Sequence, residues 1–294
     1  MYKLAAIDLD GTMLNQYGVV TEKTKEAITK AQECGIEVII ASGRPIDSIK
    51  TIAKEIKSQK YFISGNGAII YDIANDEIIY ENTLKKQKVL EIIKVCEENS
   101  IYYNIYTEKE IVAQSLQCNV LYYHKENAFK AEDEKTHINI VENVYDYIAS
   151  RDEKVVKITI CDNNQAIFNS IMRKLKEIDE IEILEVSHMS RKIIRQGTEE
   201  IPIEYFYTEI SAKNVDKWNA IEFLKEKMGI KTEEIITIGD NVNDKKMLEN
   251  AGLGIAMGQS HPVIKEVANQ VTGTNTEDGV ADALQNITKI LQQY

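Results

Sequence analysis

The chain has 294 residues, 44% hydrophobic and 28% charged, with a formal net charge of −12; this allows two domains, or one large one, with a substantial core. The negative balance argues against nucleic acid or an anionic membrane as a main partner, and an anionic substrate would need a local positive site and a metal. No apolar run is long enough to span a membrane and no secretory pattern opens the chain, so we expect a cytoplasmic protein.

Leu4, Ala5, Ala6 and Ile7 form an unbroken apolar run, expected as a strand buried on both faces of a parallel α/β sheet. It leads into Asp8-Leu9-Asp10-Gly11-Thr12. Ligands in such sheets sit beyond the carboxyl ends of the strands, which puts Asp8 and Asp10 at that edge, with Gly11 turning the chain away. An ordinary Asp-Gly turn accounts for Asp10-Gly11 taken alone. Two carboxylates this close repel unless a proton or cation intervenes, and Mg²⁺ is the hard, oxygen-binding ion that suits them.

Thr21 is expected to cap a helix that stops at Gly35. Residues 37–41 read as a second buried strand, ending in Ser42-Gly43-Arg44-Pro45. Ser42 offers a hydroxyl, and the next helix start offers backbone N–H groups to an anion. A plain Ser-Gly turn is the weaker reading, because the cluster falls at the same sheet edge as Asp8. A helix over 46–57 and a strand over 61–63 follow, then Ser64-Gly65-Asn66-Gly67-Ala68. Asn-Gly is a hairpin signal, and 68–71 with 77–80 read as a short hairpin, so Asn66 is either a turn residue or a site residue.

From residue 83 the texture changes. A helix is expected over 85–99 with Val89, Ile92, Ile93 and Cys96 on one face. Strands over 101–106 and 110–113, helices and loops over 116–150, a strand over 155–160, a helix over 165–178 and a strand over 181–186 read as an inserted α+β layer. Tyr102, Tyr103, Tyr106, Tyr122 and Tyr123 are expected mostly on strands, with hydroxyls reaching water. Residues 187–200 read as a solvated polar loop carrying Arg191, Lys192 and Arg195, or as a flap whose charges meet an anionic substrate. A strand over 203–210 follows. Cys34, Cys96, Cys118 and Cys161 form no C-x-x-C pair and read as buried thiols in a reducing compartment; the scattered histidines show no zinc spacing.

The first sheet is then expected to resume. Asp216 caps a helix that begins with Lys217 and stops at Gly229. Residues 234–238 read as a buried strand, ending in Gly239-Asp240-Asn241-Val242-Asn243-Asp244, a stretch that also suits a helix-capping loop. A strand over 254–257, a helix from Pro262 with His261 in a structural role, a short strand at Val271 and a helix from Gly279 complete the chain. Four clusters distant in sequence thus follow a buried strand or open a helix, and all can meet at one sheet edge. Acids, a hydroxyl, an amine and a helix N-terminus gathered round one metal make a site for a phosphoryl group.

In order, D-x-D-G-T, S-G-R, V-D-K and G-D-x-x-N-D resemble the four motifs of the haloacid dehalogenase superfamily. The strand followed by Asn66-Gly67-Ala68, with the α+β insertion, resembles its Cof-like, type IIB branch over nearly the whole chain. The resemblance implies a doubly wound, mainly parallel, Rossmann-like α/β core at 1–83 and 208–294 and an inserted α+β cap domain at 84–207. It further implies a Mg²⁺-dependent phosphatase that acts on a small phosphorylated metabolite through an aspartyl-phosphate. Asp8 would be the nucleophile, Asp10 the acid and base, and Lys217 the neutralising charge. Ser42, Gly43, Arg44, Asn66 and Asn243 would bind the substrate. Asp8, Asp10, Asp240 and Asp244 would serve the metal, Asp10 through its carbonyl and Asp244 from behind. Trp218 stands where the family commonly has Gly, and 187–204 depart from the branch's quick return to the core. Sugar phosphates, pyridoxal phosphate and flavin mononucleotide fit by family habit. A phosphomutase and a non-catalytic phosphometabolite sensor are the alternatives; the intact set Asp8, Asp10, Lys217 and Asp240 speaks against the sensor.

Overall fold

In the computed structural model, the described residues are 1–130, 132, 135–184, 190–196 and 199–291, with backbone alone at 129, 190–196, 199–203 and 290–291. The unbroken apolar runs become the strands of one sheet. In chain order come β1 (Leu4–Ile7), α1 (Glu22–Glu33), β2 (Glu37–Ala41), α2 (Ile46–Glu55), β3 (Tyr61–Ser64), β4 (Ile69–Asp72) and β5 (Glu77–Glu81). The middle of the chain gives α3 (Lys86–Glu98), β6 (Tyr102–Thr107), β7 (Ile111–Ala113), α4 (Cys118–Glu126), β8 (Ile138–Ile140), α5 (Val144–Ala149), β9 (Val155–Asp162), α6 (Gln165–Leu175), β10 (Ile181–Ile183), β11 (Ser190–Gln196) and β12 (Glu199–Ala212). The chain then forms α7 (Lys217–Met228), β13 (Ile235–Gly239), α8 (Lys245–Asn250), β14 (Leu253–Ala256), α9 (Pro262–Lys265), β15 (Gln270–Val271) and α10 (Gly279–Leu291). Among the described residues no helix is long and apolar enough to cross a membrane.

Two units result: Met1–Arg44 with Ile49–Glu81 and Val215–Tyr294, and Pro45–Ser48 with Asn82–Asn214. The first holds an eight-stranded sheet in the order β15-β14-β13-β1-β2-β3-β4-β5. It is parallel from β15 to β3, and the β3–β4 and β4–β5 pairs are antiparallel. This is the expected mainly parallel α/β fold. β1 lies between β2 and β13, with Ile7 level with both Ile40 and Ile238. Its four residues are fully buried, as a strand covered on both faces requires. The order of strands reverses at β1, and the crevice beyond its carboxyl end is where such sheets place ligands.

Trp218, the departure from the family's glycine, is accommodated without distortion of the helix start. Asp216 caps α7 by accepting the Asn219 N–H at 2.8 Å, and Trp218 packs in the core with Leu4, Ala6, Ile39, Ile221 and Leu224. Each side chain buried there contributes about 1.5–3 kcal/mol.

Asn66 and Gly67 form the tight turn between β3 and β4, both with left-handed backbone, φ 59° and 107°. A Cβ on Gly67 would lie 2.1 Å from the Asp216 carbonyl oxygen. Gly67→Ala is therefore expected to lose about 2–4 kcal/mol of stability, from backbone strain and from overpacking against the chain that leads into Lys217. Urea unfolding measures it, and a midpoint equal to that of the unaltered chain would contradict the crowding.

The second unit carries a sheet ordered β10-β12-β9-β6-β7-β8, with β11 pairing to β12; β7 and β8 run parallel and the other pairs antiparallel. Val89, Ile92, Ile93 and Cys96 are the buried face of α3, as their spacing predicts.

Several expectations need correction here. Residues 190–196 are not a loop: β11 pairs with β12 from Ser190 opposite Tyr205 to Gln196 opposite Glu199. At 14 residues β12 runs past its partner β9 and offers backbone groups that β11 satisfies. The side chains of Arg191, Lys192 and Arg195, and residues 185–189 and 197–198, lie outside the described part, and with them the proposed flap charges. Residues 116–150 include a short strand, β8, as well as helices.

The tyrosine hydroxyls also bond within the protein. Tyr102 donates to the Ser115 carbonyl at 2.9 Å, Tyr103 donates to Glu97 at 2.8 Å, and Tyr106 accepts from Asn119 at 2.5 Å. Tyr122 and Tyr123 are on a helix, α4, with the Tyr122 hydroxyl bonded to Glu126. A half-buried tyrosine carries a hydroxyl that loses water, so an internal acceptor is the cheaper solution. Finally, Cys96 and Cys161 are buried, whereas Cys34 and Cys118 are only half-buried.

Candidate active site

Asp8 is the first residue past β1, and its backbone N–H continues the ladder to the Ile238 carbonyl at 3.0 Å. Its side chain is buried. Lys217, the first residue of α7, is fully buried as well; its Nζ donates to Asp8 Oδ1 at 2.5 Å and to Asp244 Oδ1 at 2.6 Å. The other oxygen of Asp244 accepts the N–H groups of Asp240 at 2.9 Å and Asn241 at 3.0 Å, so the turn after β13 closes on its own carboxylate. Thr12 Oγ1 donates to Asp240 Oδ1 at 3.0 Å. Gly11 has φ 83°, and a Cβ there would fall 2.5 Å from Asp240 Oδ2, so only glycine lets the β1 loop approach this carboxylate.

One oxygen from each of Asp8, Asp240 and Asp244 lies within 4.8 Å of the others. Among the described residues Lys217 is the lysine bonded within this group, to Asp8 and Asp244. Burial, and Asp244 next to it, raise the Asp8 carboxyl well above the usual range despite the pull of Lys217. Burial and Asp244 push Asp240 up to about 7, against the hydrogen bond from Thr12. Such repulsion is relieved by protons or by a cation. The donors are all oxygen, converge from two strand ends and carry an excess of negative charge. They fit a hard divalent cation, for which Asp8, Asp240 and Asp244 supply the ligating carboxylates or their immediate support.

Around this centre lie the other residues singled out from the sequence. Asp10 does not join the buried acids: its carboxylate is 61% exposed. Arg44 grips it through both oxygens, Nε to Oδ2 at 2.8 Å and Nη2 to Oδ1 at 2.7 Å. Arg44, expected to meet a substrate anion, holds Asp10 in one orientation with its planar guanidinium. Ser42 is buried at the end of β2, and its Oγ accepts the Arg44 N–H at 3.2 Å. The Asn66 N–H donates to the Ser42 carbonyl at 2.9 Å. Asn66 Oδ1 accepts from Asn243 Nδ2 at 3.0 Å and would lie 2.8 Å from a Cβ on Gly43. Asn66 thus acts both as a turn residue and as a bridge between the ends of β2 and β13.

The fold therefore brings all ten predicted residues to one edge of one sheet. Two further residues were not singled out. Thr12 orients Asp240, and its place in D-x-D-G-T was the signal. Gln259 donates to the Gly11 carbonyl at 2.5 Å and ties the β1 loop to the segment after β14; nothing in its local pattern marks it.

A parallel α/β sheet whose strand ends collect buried carboxylates about a lysine makes an α/β protein with a polar site at its sheet edge that could hold a metal ion. The sequence profile of the haloacid dehalogenase-like hydrolases matches residues 5–284, and the chain belongs to that family. It is 28% identical to the phosphatase YwpJ of Bacillus subtilis, over 97% of this chain and 99% of that protein. It is 26% identical to the 5-amino-6-(5-phospho-D-ribitylamino)uracil phosphatase YcsE of the same organism, over 97% of this chain and 95% of that one. The solved HAD subclass IIB sugar phosphatase BT4131 has the same fold, with a TM-score of 0.74 at 23% identity, over 97% of this chain and 98% of that chain.

Proposed function

We propose that the protein is a Mg²⁺-dependent phosphatase that hydrolyses a small phosphorylated metabolite through an aspartyl-phosphate on Asp8. The observation that carries this reading is the buried Asp8 carboxylate, bonded to Lys217 and crowded by Asp240 and Asp244. YwpJ and YcsE, named as phosphatases, support the reaction class, and the ribityl phosphate in the name of YcsE supports a small polar substrate.

Lys217 pulls the Asp8 carboxyl back toward its ionised, nucleophilic form, against the burial and the Asp244 charge that push it toward the neutral one. Asp8 attacks phosphorus in line; the new P–O bond forms as the bond to the leaving oxygen breaks. Asp10, exposed and aimed by Arg44, gives that oxygen a proton. Asp10 then takes a proton from the water that hydrolyses the intermediate. Ser42 and the N–H groups near Gly43 hold the phosphoryl oxygens, with Asn66 and Asn243 fixing the wall of the site. Asp8, Asp240 and the Asp10 carbonyl would hold Mg²⁺, with Asp244 in support, and the ion would supply charge that offsets the repulsion between carboxylate and phosphoryl oxygens. We assign the reacting centre to the unit that carries the mainly parallel sheet and the choice of leaving group to the inserted α+β unit, expected at 84–207 and spanning Asn82–Asn214 with Pro45–Ser48.

The test is phosphate release from a panel of phosphorylated sugars, polyols and cofactors. Turnover is expected to fall at least about 100-fold on chelation and to return with Mg²⁺, since the metal offsets charge at the reacting centre. Hydrolysis indifferent to chelation, or absence of release across the panel, would sink the proposal.

A further inference from the structure

The loop after β1 is held from outside by two side chains from the far end of the chain. Gln259, between β14 and α9, donates from Nε2 to the Gly11 carbonyl at 2.5 Å. Its Oε1 accepts the Asn275 N–H at 3.2 Å, and Asn275 Nδ2 donates to the Leu14 carbonyl at 2.9 Å. These bonds run in series and clasp residues 11–14 at both ends. The clasp has a firm base. The Gly258 N–H donates to the Gly273 carbonyl at 2.9 Å, and Thr274 and Glu277 cap the single helical turn Asn275–Glu277 reciprocally. A Cβ on Gly258 would lie 3.0 Å from the Gly273 carbonyl carbon, so the two segments pack backbone to backbone.

Asp8 is fixed without this clasp, by its place in the ladder to β13 and by its bond to Lys217. Asp10 stands outside the buried group, with its carboxylate 61% exposed and gripped by Arg44. Its backbone pairs with Leu14 and runs straight into Gly11, whose φ of 83° lies in the range that glycine explores freely. Arg44 sets the direction of the Asp10 side chain; the amides of Gln259 and Asn275 set the turn from which that side chain projects.

We propose that Gln259 and Asn275 are positioning residues for proton transfer by Asp10. The inference rests on the phosphatase reading and on the role given there to Asp10. With the clasp intact, the Asp10 carboxyl stands where the leaving oxygen takes its proton as the P–O bond breaks. With the clasp released, Asp8 still attacks, but the leaving oxygen departs with the bonding electron pair and no proton. The cost then depends on that oxygen. It is large for an alkoxide and small for p-nitrophenolate, which leaves as a stabilised anion. Damage to Asp8 or to the metal site would slow both esters alike.

Gln259→Glu separates the two bonds of this side chain. It keeps the length and an oxygen for the Asn275 N–H, and it removes the N–H that the Gly11 carbonyl accepts. The experiment measures kcat/KM, with Mg²⁺, for p-nitrophenyl phosphate, phenyl phosphate and the best sugar or polyol phosphate of the panel above, whose leaving oxygens are increasingly basic. Gln259→Glu and Asn275→Ala are each expected to lower the value for the alkyl ester at least about ten-fold more than that for p-nitrophenyl phosphate, a fraction of the roughly 10²–10⁴ that a positioned acid supplies. In Asp10→Asn, adding Gln259→Glu is expected to change hydrolysis of p-nitrophenyl phosphate by less than about two-fold, because the group it acts through is gone. Equal losses on all the esters, no loss in either variant, or the same loss repeated in Asp10→Asn would overturn the positioning role and leave the phosphatase reading standing. Where Gln259→Glu fails to fold, Asn275→Ala decides. An unaltered chain that releases phosphate from no ester of the panel overturns the phosphatase reading, and this role with it.

Discussion

Asp8→Asn is expected to abolish turnover, by about 10⁴-fold or more, the scale on which enzymes lose rate when a nucleophile is removed. The amide is isosteric but cannot form the phosphorylated intermediate. The stability effect has the opposite sign from most buried substitutions. The carboxyl group at this position sits in a buried site beside two other acids, where burial and Asp244 both work against its charge. Removing its charge relieves repulsion, while Lys217 keeps its bond to Asp244 at 2.6 Å. The metal-free variant is therefore expected to melt at or above the temperature of the unaltered chain. Steady-state kinetics and calorimetry together check this, and near-normal hydrolysis by the variant would refute the assigned nucleophile.

Lys217→Met produces the converse. It keeps the length of the side chain and removes the only cation within bonding distance of Asp8 and Asp244 among the described residues. Breaking a buried ion pair by removing one partner costs about 3–5 kcal/mol, because the other charge stays buried and unmatched. The expected outcome is a loss of stability of that size in urea unfolding without metal, together with loss of turnover. Combined with Asp8→Asn, part of the lost stability should return, since one of the stranded carboxylates is gone. Strict additivity of the two changes would show that the three side chains do not act as one charged unit.

Much of this centre was legible in the sequence because each piece follows a strand buried on both faces. Such strands are short, unbroken apolar runs, and the sheet's parallel order puts their polar exits on one edge. Asp8, Ser42 and Asp240 were placed by that rule, whereas Lys217, which opens a helix, was singled out by the resemblance of its V-D-K motif to the family. What the sequence concealed were contacts set by side-chain reach across that edge. The pairing of Arg44 with Asp10, the bridge between Asn66 and Asn243 and the support from Gln259 depend on rotamers and loop paths that no periodicity encodes.

The inserted unit was harder to read for a different reason. The strand β11, with its Ser, Arg, Lys and Gln, has the composition of a loop, and only the length of β12 opposite it makes it a strand. The tyrosines misled in the same way: their β propensity was informative, but the fate of each hydroxyl depended on acceptors such as Ser115 and Glu97 from neighbouring segments.

The position of β1 between β2 and β13 has a consequence during biosynthesis. The opening strand leaves the ribosome with one neighbour close behind it, but the partner for its other flank is encoded beyond residue 234. The Thr12–Asp240 hydrogen bond joins groups 228 positions apart. At about 5–20 residues per second, the nascent chain carries an unpaired hydrogen-bonding edge for roughly 10–50 s before β13 emerges. A bare strand edge invites pairing with other chains. The inserted α+β unit is synthesised entirely within that interval, so shielding of the early half of the sheet, by chaperones or by transient collapse, becomes a condition of correct assembly.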